Sequence, residues 1–225
     1  MPARRIEVPP ELNRNAKRVV DAGFEKTGAL VLRNVAEVLG VPDLSGVDML
    51  DVGCGVRFTQ TIVNRDIPIR SYTGVDVEPK LIRWLQKNVA DPRFAFALWD
   101  VRNDMYNKRG RPFTRDSKLP VTGEFDLVCL FSVFTHMNPS DADAMLHVLR
   151  PHVRPSGHLL FTAFVDDAVG TFADRRPEKP LNVATYAEPF LRSLVEKNGW
   201  RVERSIPKRR DRYVAHQFLC EPVAG

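Results

Sequence analysis

The sequence has few cysteines and no long apolar run, and both absences narrow the class of protein it encodes. Three cysteines stand at scattered positions, Cys54, Cys129 and Cys220, with no CxxC pair. This spacing offers neither a disulfide framework nor a zinc site, so no metal site is expected. No apolar run is long enough to span a bilayer, and the first ten residues lack the apolar centre of a signal peptide. We therefore expect a cytoplasmic protein with reduced thiols that does not enter a membrane.

The composition is that of an ordinary soluble globular protein. The 225 residues are 44% hydrophobic and 27% charged, enough for one α/β domain with a good core. The formal net charge is +5, and basic residues cluster at 107–115, 173–180 and 206–212. We interpret these clusters as solvated loops, because each is short, rich in turn-forming residues and close to acids. The alternative interpretation is a surface for an anionic partner such as nucleic acid.

Strand-like and helix-like segments alternate along the chain, which predicts an α/β fold with a doubly wound, mostly parallel sheet and helices on both faces. Seven strands are predicted at residues 47–52, 71–77, 94–98, 125–131, 158–165, 200–206 and 214–220. Helices are predicted at residues 10–21, 27–39, 58–65, 79–89, 141–149 and 188–198. The turn between the last two strands is too short for a parallel crossover, so these strands should form an antiparallel hairpin.

Two long connections should carry no structure of their own. They cover residues 102–123 and 166–186. Loops of this length are often active-site lids, so we expect them, with the N-terminal helix, to build the pocket for a substrate.

A glycine turn follows the first predicted strand, in the stretch LDVGCG that ends at Gly55. Two glycines let the backbone approach a ligand closely, and the next helix offers its positive end. The dinucleotide pattern would require glycine or alanine at position 58, where this chain has Phe58. The lysine of a triphosphate-binding loop is also absent. Taken alone, the turn could be purely structural.

Two acids stand at the ends of the next two predicted strands. Asp76 ends the second strand, about twenty residues after the turn, where a ribose-binding acid is expected. Asp100 follows the third strand beside Trp99, where its carboxylate could accept from an adenine amino group. Each acid alone could be a helix cap or a solvated charge. Because all three features fall on the edge where open α/β sheets bind ligands, together they predict a nucleoside site.

Five segments, in order, resemble the class I S-adenosylmethionine-dependent methyltransferase superfamily: LDVGCG, GVDVEP, WDVR, FDLVCLFSVFTHM and RPSGHLLFTAF. The resemblance covers about residue 40 to the end of the chain. It implies a single domain with a Rossmann-like core over residues 41–225, a helical cap over residues 1–40, and S-adenosylmethionine as the cofactor. One departure is Arg57, which stands where many members have a third glycine; Arg57 is not expected to be a cofactor ligand.

The resemblance also implies which residues surround the cofactor. The methionine part would lie against Asp51, Gly53 and Gly55, the ribose against Asp76, the adenine against Trp99 and Asp100, and the sulfonium end above Leu130, Phe131 and Ser132. Cys54 and Val77 are expected to be further cofactor contacts.

His136 follows the fourth predicted strand, on the ligand-binding edge, and is the candidate general base for a hydroxyl acceptor. It could instead be a loop histidine bonded to backbone. The stretch after Phe131 lacks the proline-rich motif of enzymes that methylate base amino groups, and no Pro-Cys pair suits cytosine methylation. We therefore expect in-line methyl transfer to a small molecule, a sugar or natural-product hydroxyl, rather than to nucleic acid. An RNA or protein methyltransferase and a non-catalytic binding module are the alternatives, and the sequence leaves the oligomeric state open.

Overall fold

The structure is a computed structural model that describes residues 5–14, 17–208 and 215–223. The chain divides into two compact units, Met1–Gly110 and Arg111–Gly225. Each unit is built on parallel strands. The single domain with a cap over residues 1–40, expected from the sequence, stays a prediction.

The first unit contains a parallel sheet with strand order β3-β2-β1. Its strands are β1 (Leu44–Val52), β2 (Ile69–Asp76) and β3 (Phe94–Leu98). Met49, Leu50 and Val75 are fully buried, as the apolar runs of parallel strands require when both faces of a sheet are covered. The register pairs Val52 with Val75 and Asp76 with Leu98, so the three strands end close together.

The helices of the first unit are α1 (Lys17–Asp21), α2 (Phe24–Leu39), α3 (Arg57–Arg65) and α4 (Pro79–Asn88). Gly40 ends α2 in the left-handed region with φ 72°, where a glycine avoids the steric penalty of a side chain. Pro79 is the first residue of α4, a position whose N–H has no helical partner in any case.

The predicted helix over residues 10–21 is wrong in its first half. The chain forms a single 3₁₀ turn at Pro10–Leu12, and Asn13 is then extended; residues 15–16 lie outside the described residues. Upstream of this turn, the side chain of Asn64 accepts from Ile6 N and donates to Ile6 O, each at 2.8 Å. These two hydrogen bonds hold Ile6 against α3.

Gly28 marks a close approach of α2 to α3. A Cβ at this position would lie 2.1 Å from Oγ1 and 3.0 Å from Cβ of Thr61. The Thr61 hydroxyl donates to the Arg57 carbonyl at 2.7 Å, so it is held where it stands. Glycine is therefore required at position 28 by packing rather than by its backbone conformation.

Gly28→Ala should lower the free energy of unfolding by about 1–3 kcal/mol, because overpacking outweighs the gain in helix propensity of about 1 kcal/mol. Urea denaturation measures the change. The control is Gly46→Ala on β1, where an added Cβ has nothing within 4 Å. A Gly28→Ala protein as stable as the wild type would contradict this packing.

The second unit contains β4 (Phe125–Leu130), β5 (Val153–Val165), β6 (Phe172–Asp174), β7 (Ala184–Tyr186), β8 (Trp200–Ile206) and β9 (His216–Pro222), with helices α5 (Pro139–Leu149) and α6 (Glu188–Lys197). Strand β4 pairs with β5 in parallel, while β9 is antiparallel to both β5 and β8. The predicted closing hairpin is confirmed. Most of the basic turn that joins its strands, residues 209–214, lies outside the described residues.

The connection over residues 166–186 has structure of its own, contrary to the prediction. Strand β7 pairs in parallel with the end of β5, and β6 is antiparallel to β7. The ring of Phe172 meets the buried ring of Tyr186 edge-on at 5.2 Å. Strands of three residues are too short to leave a periodic pattern, so only their tertiary pairing reveals them.

Aromatic side chains form the centre of the second unit. The rings of Phe134, Phe161 and Phe218 stack in series, with centroids 4.5 and 5.1 Å apart. The buried indole of Trp200 donates to the carbonyl of Leu146 on α5 at 3.0 Å, which satisfies its polar group.

The fold class predicted from the sequence is confirmed: the molecule is mixed α/β, with mostly parallel strands and a C-terminal antiparallel hairpin. Apart from the short strands β6 and β7, the described residues form seven strands, as predicted. No helix among these residues combines the length and apolar character needed to cross a bilayer. The three cysteines are free and buried.

Candidate functional site

The carboxyl ends of β1, β2 and β3 bring together three sequence-predicted features within the first unit. The amides of Gly53 and Cys54 both donate to the carbonyl of Val75, at 2.8 and 3.1 Å. The amide of Trp99 donates to the carbonyl of Asp76 at 2.9 Å. Backbone hydrogen bonds therefore hold the glycine turn, the acid that ends β2 and the residues after β3 at one edge.

The glycine turn depends on backbone conformations that favour glycine. Gly53 and Gly55 have φ values of 77° and 51°, in the left-handed region. Arg57 instead begins α3 with helical geometry, so the missing third glycine costs no backbone strain. The Cys54 side chain points into the unit, and burial, with Asp76 and Asp51 adding to it, raises the pKa of its thiol. Cys54 is therefore an inert thiol whose backbone shapes the turn.

Asp76 lies at the centre of this edge and is 2% exposed. Its Oδ2 accepts from the Gly55 amide at 3.0 Å and from Arg14 Nη2 at 2.5 Å. Its Oδ1 accepts from the Glu78 amide at 3.0 Å. A carboxylate has about four acceptor positions, so three are in use and one remains on Oδ1.

Arg14 was not identified from the sequence, yet it covers the predicted ribose-binding acid. Its guanidinium also lies 3.5 Å from Glu78 Oε2 and 4.2 Å from the centre of the Tyr106 ring. Burial alone would lower the pKa of Arg14, but Asp76, with Tyr106 and Glu78 adding to it, outweighs burial, so the pKa is raised. Arg14 is thus a permanent cation held in place by two acids and a ring.

Asp51, predicted to line the methionine part of the cofactor, is 2% exposed and points into the first unit. Its Oδ2 accepts from the hydroxyl of Tyr72 on β2 at 2.6 Å, and both groups are buried. The hydrogen bond joins β1 to β2 directly below the glycine turn. Tyr72 was not singled out from the sequence, because tyrosine in a strand usually indicates packing alone.

The residues after β3 differ in exposure. Trp99 is buried, Asp100 is exposed, and Val77 after β2 is half-buried. The amide of the buried Asn107 side chain donates to Asp100 Oδ1 at 3.1 Å and to the carbonyl of Val101 at 3.2 Å. Asn107 therefore folds the following loop back onto the end of β3.

The second unit holds the predicted residues Leu130, Phe131 and Ser132 at the end of β4. Leu130 is buried and Phe131 half-buried. Ser132 has φ 60°, uncommon for a non-glycine residue, and its amide donates to Thr162 Oγ1 on β5 at 2.8 Å. Such a conformation persists where neighbouring structure enforces it, often at functional sites.

His136 ends a 3₁₀ turn, Phe134–His136, in the second unit. Its Nδ1 lies 3.1 Å from the carbonyl oxygen of Leu181. Burial lowers the pKa of His136, and bonds to the Leu181 and Asn182 backbone offset this only in part. The ring is therefore neutral near pH 7.

No group of three or more His, Cys, Asp or Glu side chains suited to a metal ion occurs in the part of the chain that the structure describes. Asp166 and Asp167, an acid pair after β5, have other partners. Asp166 forms an ion pair with Arg175, and Asp167 accepts from the Glu188 amide at the start of α6 at 2.8 Å.

Comparison with known proteins finds similarity to methyltransferases. Residues 50–159 match a family model described as a methyltransferase domain. A malonyl-[acyl-carrier protein] O-methyltransferase of Acetivibrio thermocellus is 24% identical over 152 residues, covering 68% of this chain and 47% of that protein. The phthiotriol/phenolphthiotriol dimycocerosates methyltransferase of Mycobacterium leprae is 30% identical over 119 residues, covering 53% and 38%.

A solved structure shows the same fold. The glycopeptide N-methyltransferase MtfA, in complex with S-adenosyl-L-homocysteine, superposes with a TM-score of 0.60 at 13% identity, covering 87% of this chain and 90% of that one. Residues 50–159 match the methyltransferase domain family, and the fold of the chain is that of an S-adenosylmethionine-dependent methyltransferase. The chain spans less than half the length of the two curated relatives.

The acceptor atoms at this edge fit the ribose of S-adenosylmethionine. Ribose hydroxyls need acceptors, and one acceptor position remains on Asp76 Oδ1. A second acceptor is Glu78 Oε2, which is buried and has no hydrogen-bond partner among the described residues. Glu78, two positions after the predicted acid, could have been proposed from the GVDVEP motif, whereas nothing in the sequence pointed to Arg14.

Tyr72→Phe tests the Asp51 hydrogen bond of the methyltransferase domain. Removing the phenol hydroxyl takes a donor from a buried acid, which should lower the free energy of unfolding by about 1–3 kcal/mol in urea denaturation. Tyr106→Phe is the control, because Tyr106 is exposed. Equal stability of the two variants would show that the Tyr72 hydroxyl contributes nothing.

Proposed function

We propose that this domain methylates a hydroxyl group of a small molecule, with His136 as the general base. The observation that carries the proposal is the contact between His136 Nδ1 and the Leu181 carbonyl. A carbonyl oxygen can only accept, so Nδ1 carries the hydrogen and Nε2 holds the lone pair. A neutral ring with its lone pair on Nε2 is the form that accepts a proton from an attacking hydroxyl.

The surroundings of His136 hold it in this form. Leu181, which supplies the carbonyl, has φ 57°, and its amide donates to Asp174 Oδ2 on β6 at 2.7 Å. The hydroxyl of Tyr186 on β7 donates to the carbonyl of Met137 at 2.6 Å. Burial raises the pKa of Tyr186, so that hydroxyl stays protonated. Two strands that the sequence did not predict thus position the proposed base.

The cofactor would be held by residues of the first unit. Asp76 and Glu78 would accept from the ribose, and the glycine turn would bring its backbone close to the methionine part. When bound, S-adenosylmethionine supplies a methyl group on a positively charged sulfur, which needs no further activation. The remaining tasks of the chain are to orient the acceptor, exclude water and accept the proton at His136 Nε2.

Support for a small hydroxyl acceptor is indirect. The Acetivibrio relative is named an O-methyltransferase, and the three matched proteins are named for different acceptors, so the family alone does not select one. A neutral His136 with its lone pair on Nε2 favours a hydroxyl, because a hydroxyl must lose a proton as it is methylated.

Titration calorimetry should show S-adenosylhomocysteine binding to the wild type at micromolar concentrations. Asp76→Asn should weaken it about tenfold or more, because one charged acceptor for a ribose hydroxyl is lost. Asp104→Asn, at a side chain that is 80% exposed, is the control. If the wild type fails to bind, or if Asp76→Asn binds equally well, the cofactor assignment to this edge is wrong.

Methyl-labelled S-adenosylmethionine and a panel of sugars, hydroxylated natural products, amines, peptides and RNA will identify the acceptor. With a hydroxyl acceptor, turnover should fall as the pH drops through the pKa of His136, which lies below its ordinary value of 6.5. The neutral base is present above that pKa and lost below it. His136→Gln should lower turnover about 100-fold or more and remove this pH dependence.

The matched control is His152→Gln. His152 also has Nδ1 near a carbonyl oxygen, that of Gly123 at 3.2 Å, but this contact is exposed to solvent. S-adenosylhomocysteine affinity should stay within about threefold of the wild type in both variants. Unchanged turnover in His136→Gln, or labelling of RNA or peptides alone, would overturn the proposal.

A further inference from the structure

A cleft of about 450 Å³ opens on the first unit where the start of α4 faces the loop at residues 106–109. Lys80 and Arg83 line it from α4, and Lys108 and Arg109 line it from the loop. Its volume falls in the range of small-ligand pockets. Two basic stretches that are distant in sequence therefore converge on one cavity.

The four cations of this basic cleft have no carboxylate partner among the described residues. None of their nitrogens lies within 4.0 Å of a carboxylate among the residues that the structure describes. The one acid lining the cleft, Glu78, already lies 3.5 Å from Arg14. Like charges gathered in a cleft repel one another, so the arrangement costs energy unless an anion binds.

The loop that carries Lys108 and Arg109 is held in one conformation. Asn103 and Asn107 exchange two backbone hydrogen bonds of 3.0 and 2.9 Å, and the Asn107 side chain bonds to the end of β3. A Cβ at Gly110 would lie 2.4 Å from the backbone of Val101, so only glycine fits there. A freely solvated basic loop would need none of these constraints.

On α4 the two cations also share one side. Lys80 and Arg83 are three residues apart, a spacing that places side chains on the same face of a helix. Two guanidinium groups and two ammonium groups suit phosphate oxygens, because arginine donates to them in pairs and lysine adds charge.

We propose that the basic cleft binds a phosphate ester or diphosphate group of a small molecule through four cations that make no proposed cofactor contact, although Glu78, a proposed ribose acceptor, also lines the cleft. The ligand is small, because the four cations surround a single cavity. This site does not depend on the proposed methyl acceptor or on His136.

Titration calorimetry with inorganic pyrophosphate at ~0.1 M salt tests the proposal. The wild type should bind, and Lys80→Gln/Arg83→Gln and Lys108→Gln/Arg109→Gln should each weaken binding at least tenfold. The matched control is Arg33→Gln/Lys87→Gln, which removes the same charge from exposed positions of the first unit outside the cleft. It should stay within about twofold of the wild type.

Three results would overturn the proposal. The first is no pyrophosphate binding by the wild type, and the second is an equal loss in the control, which would indicate net charge alone. The third is a single-stranded oligonucleotide that binds the cleft in place of pyrophosphate. S-adenosylhomocysteine should bind all variants equally and should not displace pyrophosphate. Loss of S-adenosylhomocysteine binding in a cleft variant would show that the cleft is part of the cofactor site. That result would refute a separate phosphate site.

Discussion

The described candidate site depends on the hydrogen bonds that the buried carboxylate of Asp76 accepts. It accepts from the amide of Gly55 in the glycine turn, from the amide of Glu78 before α4 and from the guanidinium of Arg14. A carboxylate removed from water must find donors, because burying it unpaired costs several kcal/mol. One acid therefore fixes the turn, the entry into α4 and the N-terminal segment at a single point.

This arrangement links the proposed ribose acceptor to the N-terminal segment. Arg14 and the Gly55 amide occupy Oδ2 of Asp76, which leaves the open acceptor position on Oδ1. Arg14 also lies over the ring of Tyr106, a residue that lines the basic cleft. Arg14 thus contacts both the proposed ribose acceptor and a residue at the rim of the cleft.

In the second unit, hydrogen bonds to neighbouring segments likewise hold His136. Its tautomer is set by the carbonyl of Leu181, and the segment that supplies this carbonyl is held by Asp174 and by β7. The sequence predicted residues 166–186 as an unstructured lid, whereas they form paired strands. The segment that contacts the proposed base is therefore itself paired into strands. A general base needs a fixed orientation of its proton-accepting nitrogen.

The sequence by itself determined the α/β class, the seven principal strands, the closing hairpin and the grouping of the glycine turn, Asp76 and Trp99 at one sheet edge. These follow from local properties, namely the periodicity of apolar residues and the backbone freedom of glycine. Only the tertiary structure decided which groups satisfy the buried acids, because Arg14 meets Asp76 across 62 positions and Tyr72 meets Asp51 across 21. Only the tertiary structure, likewise, brought two basic stretches together at one cleft. Hydrophobic patterning specifies which face of an element is buried, but it carries no information about which polar side chains meet there.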